Sequence, residues 1–177
     1  MVENILNAGS STQYGVEADA NFRANDWLTL NAGFGRVWSE FGDGSLVNDV
    51  NSQPSDVSGK TPPWISDYSF SVSANVDVPI SSSWDLVSAA EFLGKGPYWF
   101  NQENTARHPA NELVNFSIGV ESDRYTLRLN VENLFDKGYY SDGSIWPGDA
   151  VPGAPRDVVI GTLGQPQLIT VSAIARF

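Results

Sequence analysis

Residues 67–78 alternate without a break. Tyr68, Phe70, Val72, Ala74, Val76 and Val78 fall on one side of an extended chain, and Asp67, Ser69, Ser71, Ser73, Asn75 and Asp77 on the other. Successive side chains of a strand point to opposite faces, so this segment predicts a strand with one wholly apolar and one wholly polar face. The same division recurs. Tyr14, Val16, Ala18, Ala20 and Phe22 oppose Gly15, Glu17, Asp19, Asn21 and Arg23. Val114, Phe116, Ile118 and Val120 oppose Asn115, Ser117, Gly119 and Glu121, and Tyr125, Leu127, Leu129 and Val131 oppose Thr126, Arg128, Asn130 and Glu132. Ile169, Val171, Ala173, Ala175 and Phe177 close the chain in the same manner. Two segments are less regular: Arg36 follows Leu28, Leu30, Ala32 and Phe34 on the apolar face, and Ser88 shares a face with Leu86, Ala90 and Phe92. No segment carries a convincing helical period, so the fold class is all-β.

The connections alternate between short and long. Tight turns rich in turn formers are expected at Asn25-Asp26, Pro79 to Ser83 and Ser122-Asp123. Long connections run over residues 42–62, 96–111 and 136–163 and are rich in Gly, Pro, Asn and Asp. The reading gives seven strands, at about 4–24, 27–41, 64–78, 84–96, 111–121, 124–136 and 164–177. Antiparallel strands with short turns at one end and long loops at the other fit a transmembrane β-barrel segment with periplasmic turns and extracellular loops. The last strand leaves a long loop and so runs inward, ending at Phe177. Counting back, the first strand starts outside. Single-chain bacterial barrels have an even strand number with both ends inside, so an odd count points to part of a larger barrel.

Alternation alone leaves open a soluble, carbohydrate-binding β-sandwich, in which the apolar face packs on a second sheet. Three details favour the barrel. The apolar faces carry many alanines (Ala18, Ala20, Ala74, Ala90, Ala173, Ala175), which fill a sandwich core poorly. The strands are long. Aromatics such as Tyr14, Phe22, Trp27, Tyr68, Trp84, Trp99, Tyr125 and Phe177 lie near strand ends, as in interfacial girdles. A small closed barrel, with residues 1–9 splitting off as an eighth strand, is a further alternative, as is a gene remnant without function.

Composition removes other classes. A net charge of -11 argues against nucleic acid, whose phosphates require clustered Lys and Arg. Cysteine is absent, which excludes disulfides and thiolate metal sites. No apolar run is long enough for a transmembrane helix, and the first residues carry no export signal. No Gly-x-Ser-x-Gly, His-Glu-x-x-His or phosphate-loop motif occurs, and a single histidine leaves few nucleophile–base pairs. No enzyme, cofactor or metal is expected; Asp43, Asp49 and Asp56 match no EF-hand spacing and read as a solvated acidic loop.

The segment Leu127-Arg128-Leu129-Asn130-Val131-Glu132-Asn133-Leu134-Phe135-Asp136-Lys137-Gly138-Tyr139 resembles the penultimate strand of TonB-dependent receptors, where alternating apolar residues run into Asn-Leu-Phe-Asp-Lys and then Tyr. Asn7-Ala8-Gly9 with Gly15-Val16-Glu17, then Gly59-Lys60-Thr61-Pro62-Pro63-Trp64, resemble further elements in the same order. Gly164-Gln165-Pro166-Gln167 stands where the family has Gly-x-Pro-Arg, with Gln167 in place of the arginine. The resemblance covers essentially the whole chain. It implies that residues 1–177 are the C-terminal portion of such a barrel, without plug domain or N-terminal strands, located in the bacterial outer membrane. It implies energised uptake of a scarce ligand such as a ferric siderophore, a vitamin or an oligosaccharide. The partners implied are outer-membrane lipid, the barrel-assembly machinery and, only through the missing N-terminal part, TonB. Ile169, Val171, Ala173, Ala175 and Phe177 would be the signal read by that machinery.

Few residues qualify as ligand contacts. Tyr98, Trp99 and Trp146 lie in long loops and could stack on a ligand, and Arg107 and His108 could hold an anionic one. Girdle packing and solvation explain the same residues. Asn133 to Lys137 reads as structural, because Asn and Asp can satisfy backbone groups where a strand stops pairing.

Overall fold

The computed structural model describes residues 9–49, 51–147 and 158–177. Its strands are β1 Ser11–Arg23, β2 Leu28–Phe41, β3 Leu46–Asn48, β4 Pro54–Asp56, β5 Tyr68–Pro79, β6 Asp85–Lys95, β7 Tyr98–Trp99, β8 Arg107–His108, β9 Asn111–Glu121, β10 Tyr125–Glu132, β11 Tyr140–Trp146, β12 Val158–Leu163 and β13 Leu168–Ala175. Seven of them form one antiparallel sheet in the order β1-β2-β5-β6-β9-β10-β13. These are the seven strands the alternation predicts; the expected start of the first, at residues 4–8, lies outside the described residues.

The turns between neighbours close as their sequences require. Asn25 Oδ1 accepts the backbone N–H groups of Trp27 and Leu28 at 3.0 and 2.9 Å, and Ser122 Oγ accepts that of Tyr125 at 3.0 Å. Each long connection folds into a hairpin of its own: β3 with β4, β7 with β8, and β11 with β12. Alternation gives no sign of the β3–β4 and β7–β8 ribbons, because strands of two and three residues are too short to show a period, and β11 and β12, of seven and six residues, do not divide apolar from polar residues.

Register keeps like with like. Ala18 pairs with Phe34, Phe34 with Phe70 and Phe70 with Gly94, so the apolar face is continuous across four strands. The polar face is tied by side chains. Asn21 bonds Asn31, Asn31 bonds Ser73 at 3.1 Å, and Asn115 bonds Glu91 at 3.0 Å. Along β2 the polar-face residues are half-buried while Leu30, Ala32, Phe34, Arg36 and Trp38 are exposed. Two hollows of the sheet also lie largely on the polar side. One of about 410 Å³ is lined by Glu17, Asp19, Gly33, Gly35, Ser69 and Ser71. The sheet therefore curls toward its polar face and presents its apolar face outward.

A soluble sandwich does not fit this arrangement. Among the described residues no second sheet covers the apolar face, and Phe34, Val72, Phe92 and Val171 are 46, 49, 43 and 68% exposed. The buried apolar residues are Val47, Val57, Tyr98, Ala106 and Val131, all but the last in the long connections. The small closed barrel would need an eighth strand from residues 1–9, of which 1–8 lie outside the described residues. β1 and β13 are the two edges of the sheet and are not paired with each other. In a seven-stranded antiparallel sheet they run in the same direction, so antiparallel closure requires an odd number of further strands between them.

Aromatic rings on the apolar face lie across glycines on the neighbouring strand. A Cβ at Gly94 would stand 2.1 Å from the Phe70 ring, and one at Gly96 would stand 2.8 Å from the ring of Tyr68. Such ring-over-glycine pairs cover backbone that lacks a side chain and help to fix register. Gly94→Val should displace the Phe70 ring and destabilise the folded sheet by about 1–3 kcal/mol, whereas Gly35→Ala, where a Cβ meets only ordinary contacts, should change stability by less than about 0.5 kcal/mol. Urea unfolding of the natural protein carrying each substitution measures both.

Candidate functional site

The three long connections converge. Trp64 comes from the first, Tyr98, Phe100 and His108 from the second, and Gly143 and Tyr140 from the third. Tyr98 stacks on His108 with centroids 4.5 Å apart and planes 7° apart, as the β7–β8 register places them opposite each other. Phe100 meets both edge-on, and Trp64 packs on Tyr98 and Phe100 at 5.7 and 5.5 Å. Phe100 also lies over Gly143, where a Cβ would stand 2.7 Å from its ring. Polar contacts follow the same lines. Asn104 Nδ2 donates to the Thr61 carbonyl and Asn104 Oδ1 accepts from the Thr61 N–H, each at 2.8 Å. His108 Nε2 lies 2.6 Å from the Tyr140 carbonyl oxygen and Nδ1 lies 2.5 Å from that of Pro109.

Trp64 has a φ of 66°, a left-handed conformation that is rare for a bulky residue and costs on the order of 1–3 kcal/mol. Its N–H donates to the Trp99 carbonyl at 2.9 Å, and its ring contacts offset the backbone strain. Burial, then the Asp142 carboxylate of the third connection, pushes the Tyr98 phenol above the usual tyrosine range.

The five loop residues singled out in the sequence divide into two sets. Tyr98 and His108 are 5% and 3% exposed and face inward to the cluster. Trp99 and Arg107 are paired on the opposite face of the same ribbon, with the Arg107 guanidinium 5.5 Å from the Trp99 ring centre and the arginine exposed. Trp146, 36% exposed, stands at the end of β11 and donates through Nε1 to Ser144 Oγ at 2.9 Å. Sequence reasoning did not find Trp64 and Asn104 as members of the cluster. The Pro62-Pro63-Trp64 segment marks a bend, but neither the positive φ nor the contact across 43 residues leaves a local signal. Asp49 and Asp56 serve their own hairpin. Asp49 Oδ1 accepts from the N–H groups of Asn51 and Gln53, and the Ser58 hydroxyl, then its N–H, hold the Asp56 carboxyl below the usual carboxylate range.

The Asn-Leu-Phe-Asp-Lys segment closes β10. Asn133, at φ 49° and 4% exposed, ends the extended backbone. Its Oδ1 accepts from the Lys137 N–H at 2.9 Å, and its Nδ2 donates to the carbonyls of Lys137 and Gln165 at 3.0 and 3.1 Å. Asp136 Oδ1 accepts from the Gln167 N–H at 2.9 Å, and Gln167 Nε2 donates to the Leu134 carbonyl at 2.7 Å. The motif therefore binds the exit of β10 to the entry of β13.

Known proteins share this fold. A family model described as TonB dependent receptor-like, beta-barrel matches residues 2–134. The chain belongs to the TonB-dependent receptor family. Among solved structures, the ferric yersiniabactin uptake receptor FyuA from Yersinia pestis matches with a TM-score of 0.76 at 21% identity, over 97% of this chain and 24% of that one. The siderophore receptor PiuA from Acinetobacter baumannii matches with a TM-score of 0.69 at 17% identity, over 93% and 21%. BauA, the ferric preacinetobactin receptor from the same organism, gives 0.68 at 17%, over 92% and 22%. The chain thus spans about a quarter or less of the length of these structures. TonB-dependent receptors are barrels of the bacterial outer membrane, which makes the three hairpin-bearing connections the outer loops.

Asn133→Ala should remove three side-chain hydrogen bonds of this receptor motif and destabilise the fold by about 2–4 kcal/mol. Asn133→Gly, which keeps the left-handed conformation, should lose less. Denaturant midpoints of the folded receptor compare the two.

Proposed function

We propose that this chain forms part of the wall of a receptor that takes up a scarce small ligand, with a ferric siderophore as the ligand class. The observation that carries the reading is the outward-facing Trp99–Arg107 pair on the outer β7–β8 ribbon. A guanidinium held over an indole offers a fixed cation and an aromatic surface together, which suits an anionic chelate with flat, apolar parts. Trp146 extends that surface, while Tyr98 and His108 hold the ribbon rather than touch ligand. Of the three solved structures named above, PiuA is described as a siderophore receptor and the other two as receptors for ferric yersiniabactin and ferric preacinetobactin, which supports this class over a vitamin or an oligosaccharide. Plug and TonB contact lie outside the residues of this chain in this reading, so the chain contributes binding surface and wall rather than energy coupling. Ile169, Val171, Ala173, Ala175 and Phe177 serve as the strand recognised during barrel assembly.

The same reading gives the two faces of the sheet their solvents. The exposed apolar face meets lipid and the polar face lines the lumen. Val72, roughly midway between Tyr68 and the level of Trp27, is 49% exposed. Val72→Arg should destabilise the receptor by about 2–4 kcal/mol, as a cation at the bilayer midplane does, whereas Ser71→Arg on the polar face should be tolerated. A water-exposed sheet would accept both substitutions alike. Unfolding from lipid vesicles measures the difference.

Uptake of radiolabelled iron chelates by cells expressing the natural protein tests the ligand reading. Arg107→Ala should lower uptake of the transported chelate about tenfold at unchanged surface level, through loss of a charge-assisted contact. Uptake unchanged in both Arg107→Ala and Trp99→Ala would overturn the assignment of this pair.

A further inference from the structure

Arg36 breaks the pattern of its face. Of the Lys and Arg residues on the seven sheet strands, Arg23, Lys95 and Arg128 fall on the polar side, and Arg36 alone falls on the apolar side. Its register partners are Val16 on β1 and Tyr68 on β5. It is exposed. Its guanidinium lies 4.9 Å from the centre of the Trp38 ring, and Trp38 stacks on Tyr14 at 5.5 Å with planes 15° apart. No carboxylate pairs with it among the described residues, and its five N–H donors have no acceptor there.

Height matters for a cation on this face. Arg36 lies nine residues beyond Trp27, a climb of about 23 Å at a barrel strand's rise and tilt. The apolar band of such barrels is roughly 25 Å tall. The side chain reaches outward over Trp38, toward the loop end of β2, so its charge stands at the outer boundary of the band instead of inside it.

We propose that Arg36, Trp38 and Tyr14 form a binding site for the phosphorylated headgroup of an outer-leaflet glycolipid. The guanidinium takes the phosphate, since its donors are unmatched by protein and its planar fork fits phosphate oxygens. The exposed Tyr14–Trp38 surface, 63% and 38% exposed, packs against the apolar face of the sugar ring. A phospholipid would supply the phosphate but no ring for the aromatic pair. The site rests on the lipid-facing reading of this sheet face and goes beyond it by naming a headgroup.

Native mass spectrometry of the intact natural protein, mixed with defined lipids, tests the site. The probes are diphosphoryl lipid A, the same glycolipid with both phosphates removed, and phosphatidylglycerol. Wild type should retain diphosphoryl lipid A about fivefold better than Arg36→Gln, the contribution expected of one cation at a membrane surface. Arg36→Lys should fall between, and the preference for the phosphorylated glycolipid should vanish in Arg36→Gln. Heat-dependent gel mobility confirms that each variant is folded. Equal retention by wild type and Arg36→Gln overturns the proposal, as does equal retention of the dephosphorylated glycolipid. Phosphatidylglycerol retained as well as lipid A overturns the glycolipid assignment. If Val72→Arg is destabilising while Arg36→Gln changes nothing, this site fails and the lipid-facing reading stands; a tolerated Val72→Arg removes the reading itself.

Discussion

The structure depends on one constraint: an antiparallel sheet whose polar face turns inward and whose apolar face is left uncovered by the described residues. In a water-soluble domain that arrangement is inverted, with apolar side chains packed against a second layer. Here Phe34, Val72, Phe92 and Val171 stay exposed, while polar residues of β2 and the Asn31–Ser73 and Asn115–Glu91 contacts occupy the hollow side. Burial of apolar area between layers cannot hold such a sheet together. Its cohesion comes from the backbone ladder, which satisfies N–H and C=O groups from strand to strand, and from cross-strand pairs such as Phe70 over Gly94. An outer-membrane barrel has this balance, and the match to TonB-dependent receptors agrees with it.

The outer loops obey a different rule. There the chain does build small packed cores: Val47 and Val57 in the first connection, and the Tyr98–Phe100–His108–Trp64 cluster shared by the first two. The third connection joins through Gly143 and the Tyr140 carbonyl. Each loop is thereby a short hairpin fixed to its neighbours, so the Trp99–Arg107 pair sits on a supported ribbon instead of a free strap. In the proposed role such support would favour binding, because a pre-positioned contact loses less entropy when ligand arrives.

The strands were legible because side-chain direction in a strand has a period of two, and the barrel exploits that period over eight to fourteen residues. All seven emerged from alternation near their observed bounds. Their ends were harder to read. β10 stops at Glu132, four residues before the expected bound, because Asn133 adopts a left-handed conformation and turns its side chain to three backbone groups. The short hairpins left no periodic trace. Tyr98, Trp99, Arg107 and His108 could be picked out as loop aromatics and cations, but the β7–β8 register decides that two of them face inward and two outward. Arg36 was visible as a break in the pattern, and its explanation needed the Trp38 ring beneath its guanidinium.

The central claim is that even-numbered residues of β5 face lipid and odd-numbered residues face an aqueous lumen. The chain has no cysteine, so single cysteines at positions 68 to 78 can each carry a spin label. With the natural protein reconstituted in bilayers, collision with oxygen, which concentrates in lipid, is compared with collision with a water-soluble nickel chelate. The account predicts a strict two-residue alternation, with oxygen dominant at 70, 72, 74 and 76 and the nickel chelate dominant at 69, 71, 73 and 75. Nickel access at every position, or oxygen and nickel profiles that rise and fall together, would contradict it.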